Sequence, residues 1–357
     1  RCLSDWSSDV CSSDLDKNAA HPAGAPGIGP VPSNIVGGRR INTALAYLAQ
    51  ARDRPNLRIV GNTQVHRVRL AGGRAIGVST EAGDIDAAEV VLCAGAVTTP
   101  HLLMLSGIGP ADHLAAHGIP VVADLPVGEA FSDHPNVAVG WHPRTRVHED
   151  RERFAFPAAL NFDSSGPAAR FPDGDLEVLL MVKPIGELFA GASGAAPSPS
   201  AAEMQLLVAL QQPRGRGRLS LRSADPLLAP RIDYRYLAQA DDRARLRVGV
   251  RTAAALLSSR AFAPIFARFH SLKPHDLADD AALDGWIRSH LGTAIHLSGT
   301  APMGSVVDGG GRVHGISGLR VADTSMLPTV PARGPFNTAV FIGELIARQM
   351  RDPATTR

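Results

Sequence analysis

The stretch "EVVLCAGA" (89–96) is an unbroken apolar run that passes at once into "TTPHLLMLSGIG" (98–109). A run of this length suits a strand buried on both faces of a largely parallel sheet. The residues after it read as a strand-to-helix turn and a short helix. "PADHLAAHG" then predicts a second short helix, with Pro110 at its start and Gly118 just past its end. This part of the chain is α/β.

Upstream, "INTALAYLAQARDRP" (41–55) has apolar residues at helical spacing and stops at Arg54-Pro55. "LRIV", "QVHRVRL" and "AIGVST" predict short strands, the last two joined by the turn "AGGR". From about 137 to 290 the texture changes. Strands such as "LEVLLMV" and "MQLLVAL", an Ala-Pro-Ser loop (191–202) and the helical "DDRARLRVGVRTAAALLSSR" predict a mixed lobe. The chain then returns to the first lobe with the strand "GLRVAD" and the amphipathic helix "NTAVFIGELIARQM", which ends in basic residues that suit the helix dipole.

The expected organisation is therefore residues 19–136, a second lobe at 137–290 and a return at 291–357. Residues 1–18 are set apart. "RCLSDWSSDVCSSDL" has neither the basic start nor the apolar core of a signal peptide and reads as a foreign leader. Two of the three cysteines lie in it, leaving Cys93 alone in the body. A disulfide framework is not expected, and a reducing, cytoplasmic setting is. With a net charge of +2 and 20% charged residues, nothing demands nucleic acid or an anionic membrane. "RGRGRLSLRS" (214–223) reads as a solvated turn entering a strand, and no apolar stretch approaches the ~18 residues of a membrane span.

Chemistry concentrates in "HLSGTAPMG" (296–304), too Gly-rich for a helix and too irregular for an alternating strand. An imidazole titrates near neutrality, so His296 is a candidate general base. Read by itself it is more simply a loop histidine capping a carbonyl. His113 and His117 lie four apart on one helix but lack a third ligand, so they read as surface histidines and no metal is expected. His290 and His314 have no partner legible in the sequence. No Gly-x-Ser-x-Gly elbow is present, which argues against a serine hydrolase.

Four stretches, in order, resemble the glucose-methanol-choline (GMC) family of flavin oxidoreductases. "GAVTTPHLLMLSGIG" (95–109) is similar to that family's second signature, and "LPVGEAFSDHP" (125–135) to its segment ending Asp-His-Pro. "HLSGTAPMG" resembles His-Pro-x-Gly-Thr-x-x-Met-Gly with Leu297 in place of the proline. "GLRVADTSMLPTVPARGPFNTAV" (318–340) resembles the closing strand, turn and helix. The likeness runs from about residue 27 to the C-terminus.

The resemblance implies an incomplete FAD-binding, Rossmann-like domain with a mixed α+β substrate domain inserted. It implies an FAD-dependent oxidoreductase acting on CH–OH donors. Hydride passes from the alcohol carbon to flavin N5, with His296 as base and Asn337 bonding the same substrate oxygen. By the same likeness, Val65 meets the adenine through its backbone. Ala94 and Gly95 end the buried strand beside the dinucleotide. Asp323 and Thr324 turn near the ribityl chain and pyrophosphate. Thr338 and Ala339 would offer free N–H groups, on a helix capped by Asn337, to the anionic reduced flavin. His134 would fix a loop beside the flavin. Small Ser298, Gly299 and Thr300 would let backbone and substrate approach closely. The expected partners are a small-molecule alcohol and an electron acceptor that is oxygen, a quinone or a redox cofactor.

Beyond Leu297, the pattern departs from the family in a larger respect. No Gly-x-Gly-x-x-Gly follows a strand, although the family opens with that pyrophosphate-holding unit. The chain therefore reads as a C-terminal portion. Two alternatives stay open: a truncated, non-catalytic fragment unable to hold FAD, and a lyase of hydroxynitrile lyase type.

Overall fold

The computed structural model describes residues 27–144, 156–166, 170–171, 174–182 and 204–351. The segment read as a leader and the Ala-Pro-Ser loop lie outside the described residues. Contacts divide the chain into two compact units. One runs to Asp53 and adds Pro135–Pro213 and Gln239–Ala294; the other is Arg54–His134, Arg214–Ala238 and Ile295–Arg357.

The first unit is built on an antiparallel sheet. Its strands lie in the order Gly27–Pro30, Ala158–Phe162, Leu176–Met181, Met204–Leu210, Pro135–Pro143 and Phe266–Phe269, with Leu291–Thr293 also pairing with Pro135–Pro143. Alternation sets the register: Val137 faces Val208, and Val178 faces Val208 from the other side, all three buried. The helix Ala240–Leu257 covers this face with Leu246, Val250, Ala253 and Leu257, the spacing of one helical stripe. Gly249 lets it settle closely, since a Cβ there would stand 2.6 Å from Val208 Cγ1. Asp241 and Asp242 in its first turn suit the positive helix end. Arg245 is buried on the same helix and pairs with Asp242 at 2.6 Å and Asp175 at 3.2 Å, so the interior cation is neutralised in place.

In the second unit, strands Val90–Leu92 and Leu319–Val321 pair in parallel, with Val90 opposite Leu319 and Leu92 opposite Val321. A three-stranded antiparallel sheet, Val65–Ala71, Arg74–Thr80 and Gly83–Asp86, stands beside them in sequence. The helix Gly95–Leu105 is almost wholly buried and shares one core with Leu92, Leu319, Val321 and Ala301. The closing helix Phe336–Arg351 buries Ile342 and Ile346, four residues apart, in that core. Arg348 and Arg351 occupy its last turn, as the dipole favours. The short helix Ala111–Ala116 starts after Pro110, and Gly118 closes it at φ +68°. "RGRGRLSLRS" enters the strand Arg218–Ser220.

Three elements come out shorter than the sequence predicts. The buried strand is only Val90–Leu92, because Cys93 and Ala94 emerge at the surface and Gly95 turns the chain at φ +81°. Among the described residues it has a single parallel partner. "LRIV" forms no strand, and Ile59 and Val60 stand exposed. The helix expected over 41–55 contracts to a π turn at Ala44–Leu48 and one α turn at Ala49–Ala51. Neither buries a residue, so periodicity there has no partner surface to reward it.

Candidate active site

His296 opens its loop in a fixed setting. Its backbone N–H donates to Asp133 Oδ1 at 2.9 Å, and the His134 N–H donates to the same oxygen at 2.6 Å. The two chain segments are further paired where Ser132 and Ser298 exchange backbone hydrogen bonds of 3.0 and 2.9 Å. The imidazoles then meet edge to face, with His134 Nδ1 3.0 Å from His296 Nδ1. His134 is fully buried, and its Nε2 lies 2.9 Å from the carbonyl of Pro331. His296 is half-buried. Desolvation holds its pKa below the usual histidine value, against an opposing pull from the Asp133 charge. On the other edge of its ring, a Cβ built on Gly334 would stand 3.5 Å from Cε1 and 3.6 Å from Nε2. Nδ1 is thus committed to His134, and Nε2 is the nitrogen left to face a ligand.

The small residues after His296 serve the protein interior, which corrects the expectation that they leave room for substrate. Ser298 and Thr300 have no exposed surface. Gly299, at φ +90°, brings its backbone against the Leu327 carbonyl, 3.0 Å from where a Cβ would sit. Thr300 donates its hydroxyl to the Ala96 carbonyl at 2.8 Å. Pro100 lies inside the helix Gly95–Leu105 and has no N–H to give that carbonyl, four residues back. The Gly-Thr pair of one motif therefore completes the helix of another.

Asp323 joins the same two segments. Its Oδ2 accepts from the Gly95 N–H at 2.9 Å and the Thr99 hydroxyl at 2.6 Å, while Oδ1 accepts from the Ser325 N–H at 2.8 Å. Thr324 is stitched to the His296 loop, its hydroxyl donating to the Leu297 carbonyl at 3.3 Å and its own carbonyl accepting from Gly299 N–H at 3.1 Å. The structure thus brings Ala94, Gly95, Asp323, Thr324 and the His296 loop together. Cys93 follows the strand end, where desolvation first and the Asp323 charge second push its thiol up to about 11. Val65 sits at the first position of its strand, opposite Thr80.

The closing helix needs two corrections. Asn337 was expected as its cap, but the helix begins at Phe336, and Asn337 is its exposed second residue. Ala339 was expected to offer a free N–H, but that group donates to the Pro335 carbonyl at 2.8 Å. With the first intrahelical bond starting from Pro335, the amides lacking a helical acceptor belong to Phe336, Asn337 and Thr338. This donor set and its positive dipole end fit an anionic group. They begin two residues after Gly334, the residue against the His296 ring.

Three contributors escaped the sequence reading. Asp133 and Gly334 were not singled out, and His134 was assigned only a loop-fixing role. The signal was present in Asp-His-Pro, since adjacent residues of an extended segment send a carboxylate and an imidazole to different neighbours. His113 also differs from its surface reading: it is half-buried, and its Nε2 accepts from the Leu221 N–H at 3.0 Å. In the other unit, His290 has partners after all, Ser271 Oγ at 3.0 Å and the Trp286 carbonyl at 2.8 Å. Among the described residues no cluster of three or more ligating side chains could hold a metal. No described helix is long and apolar enough to cross a membrane.

Comparison with known proteins places this arrangement. Two family models, both described as GMC oxidoreductase, match residues 6–136 and 213–343. An uncharacterised GMC-type oxidoreductase of Rhodococcus erythropolis is 38% identical over 342 residues, covering 93% of this chain and 63% of the relative. An oxygen-dependent choline dehydrogenase of Pseudomonas aeruginosa is 34% identical, covering 91% of this chain and 62% of its own length. The chain thus spans less than two thirds of these curated relatives. Among solved structures, pyridoxine 4-oxidase from Mesorbium loti superimposes with a TM-score of 0.81 at 28% identity, over 90% of this chain and 64% of that one. A formate oxidase of Aspergillus oryzae reaches a TM-score of 0.82 at 23% identity, covering 99% of this chain and 70% of its own, a likeness of fold. With the matched regions taking in the paired histidines, the Asp323 turn and the first half of the closing helix, the chain belongs to the GMC oxidoreductase family.

Proposed function

We propose that the protein is an FAD-dependent oxidoreductase acting on the CH–OH group of a small alcohol, with His296 as its general base. The observation that carries this reading is the setting of His296: a half-buried imidazole whose pKa burial lowers, with Nδ1 against His134 and Nε2 beside the exposed Gly334. When bound, the flavin supplies the hydride acceptor.

The protein's own part is to move a proton and to orient. Hydride loss from the alcohol carbon leaves a protonated carbonyl unless the hydroxyl proton also departs. His296 Nε2 takes that proton, and a lowered pKa keeps the ring ready to do so at neutral pH. Asn337, exposed on the first turn of the closing helix, holds the same substrate oxygen. The amides of Phe336, Asn337 and Thr338 would help hold the flavin, and their positive helix end would suit the negative charge it gains on reduction. Val65, Ala94 and Gly95 would hold the dinucleotide. Asp323 and Thr324 act there largely by holding Gly95 and the His296 loop in place. Cys93 as the one cysteine beyond the first fifteen residues supports a cytoplasmic setting.

The reading is tested by mixing flavin-loaded protein anaerobically with a panel of primary alcohols and a dye acceptor. Alcohol-dependent loss of flavin absorbance and dye reduction are expected. A lyase would leave the dye unchanged. Replacing the dye by oxygen or a quinone identifies the acceptor.

A further inference from the structure

We infer that His134 is a positioning residue that dictates which nitrogen of His296 carries the proton, an inference that rests on the reading of His296 as the base. The Pro331 carbonyl can only accept, so His134 Nε2, 2.9 Å away, carries a hydrogen and donates it. A neutral imidazole has one N–H, which leaves His134 Nδ1 with a lone pair. That lone pair faces His296 Nδ1 at 3.0 Å, and the pair forms a hydrogen bond only if His296 Nδ1 is the donor. His296 therefore carries its hydrogen on Nδ1, and its own lone pair stands on Nε2, the nitrogen beside Gly334.

The relay depends on the buried ring of His134 being neutral. With no exposed surface, an imidazolium there would forfeit its hydration. It also depends on the Pro331 carbonyl staying in place. The preceding residue secures it, because the Val330 N–H donates to Ser132 Oγ at 2.7 Å, and Ser132 adjoins the Asp133-His134 pair. Asp133 fixes the remaining geometry by accepting both backbone N–H groups, those of His134 and His296, on one oxygen. A base whose tautomer was unfixed would present N–H to the substrate hydroxyl part of the time and could take no proton then. Once Nε2 is protonated, the Nδ1–H bond to His134 becomes charge-assisted and strengthens, which favours the state formed as hydride leaves.

The test needs neither flavin nor substrate, so it stands apart from the alcohol reading. The full chain is labelled with ¹⁵N-histidine and its thirteen imidazoles are observed by long-range ¹H–¹⁵N correlation at pH 7.5. His296 is assigned by the signal lost in His296→Gln, and His134 by that lost in His134→Gln. The expected result is Nδ1–H with bare Nε2 for His296, and Nε2–H with bare Nδ1 for His134. His134→Leu removes the acceptor, and His296 should then show averaged signals from both tautomers. His134→Gln can offer its amide oxygen to His296 and its NH₂ to Pro331, and should keep the single tautomer. Nε2–H on His296 in the unmodified chain would overturn the inference, as would an unchanged His296 pattern in His134→Leu. Should that variant fail to fold, the unmodified chain and His134→Gln decide the matter alone.

Discussion

Thr300 donates its hydroxyl to the carbonyl of Ala96, the oxygen that Pro100 leaves without a helical partner. Two motifs some two hundred residues apart in sequence are thus halves of one helix, and the bond lies wholly out of water. Thr300→Val keeps the shape and removes the donor. The expected cost is about 1–3 kcal/mol, that of a buried acceptor left unmade. Urea unfolding checks it, and Thr300→Ser should recover most of the loss. In Pro100→Ala the helix regains its own N–H, so the Thr300→Val change should cost less there. Additive losses in that double-mutant cycle would contradict the pairing.

Asp323 offers both carboxylate oxygens to donors, Gly95 and Thr99 on one and Ser325 on the other. Asp323→Asn retains only one accepting oxygen and turns an NH₂ against at least one of those donors. We expect a loss of about 1–3 kcal/mol and weaker flavin retention. Flavin content after gel filtration, measured beside the unfolding midpoint, checks both.

Much of this second unit was legible before the structure, for reasons that are local. The helix Gly95–Leu105 and the strands Val65–Ala71 and Arg74–Thr80 are declared by apolar spacing and a Gly-Gly turn. What was illegible depends on tertiary partners. The 41–55 segment has helical periodicity but buries nothing, and "LRIV" is apolar yet unpaired. At the site, His296 could be named from its loop, whereas the role of His134 required knowing that Pro331 and His296 flank its ring. The cap was misplaced because Asn337 is a good capping residue two positions after the proline whose carbonyl starts the helix.

His101, His113 and His296 all have pKa values held below the ordinary histidine value of 6.5. Burial is the leading cause for each, with His117 and Arg218 adding at His113. Well above pH 6.5 neither state of the protein protonates them appreciably. Below it, the unfolded chain binds protons that the folded chain refuses, so stability falls as pH drops through that window. The denaturation midpoint should hold steady from pH 8 to 7 and decline from 6.5 to 5.5. Replacing these three histidines by Gln should lessen that decline; an unchanged slope would refute the assignment.

Asn337, as an exposed second residue of a helix, has no capping duty to lose. Asn337→Ala should leave stability within about 0.5 kcal/mol of the parent. If its amide holds the substrate oxygen, anaerobic flavin reduction should nonetheless slow clearly at saturating alcohol. Loss of stability without loss of rate would return Asn337 to a structural role.

His296 is the centre of the proposed reaction, and the rate of alcohol-driven flavin reduction in His296→Ala tests its role most directly. Stopped-flow bleaching of flavin-loaded protein, at equal flavin content in parent and variant, should slow by about 10²-fold or more, the share a positioned base contributes. Bleaching at the parent's rate would show that the proton leaves by another route and that His296 is not the base.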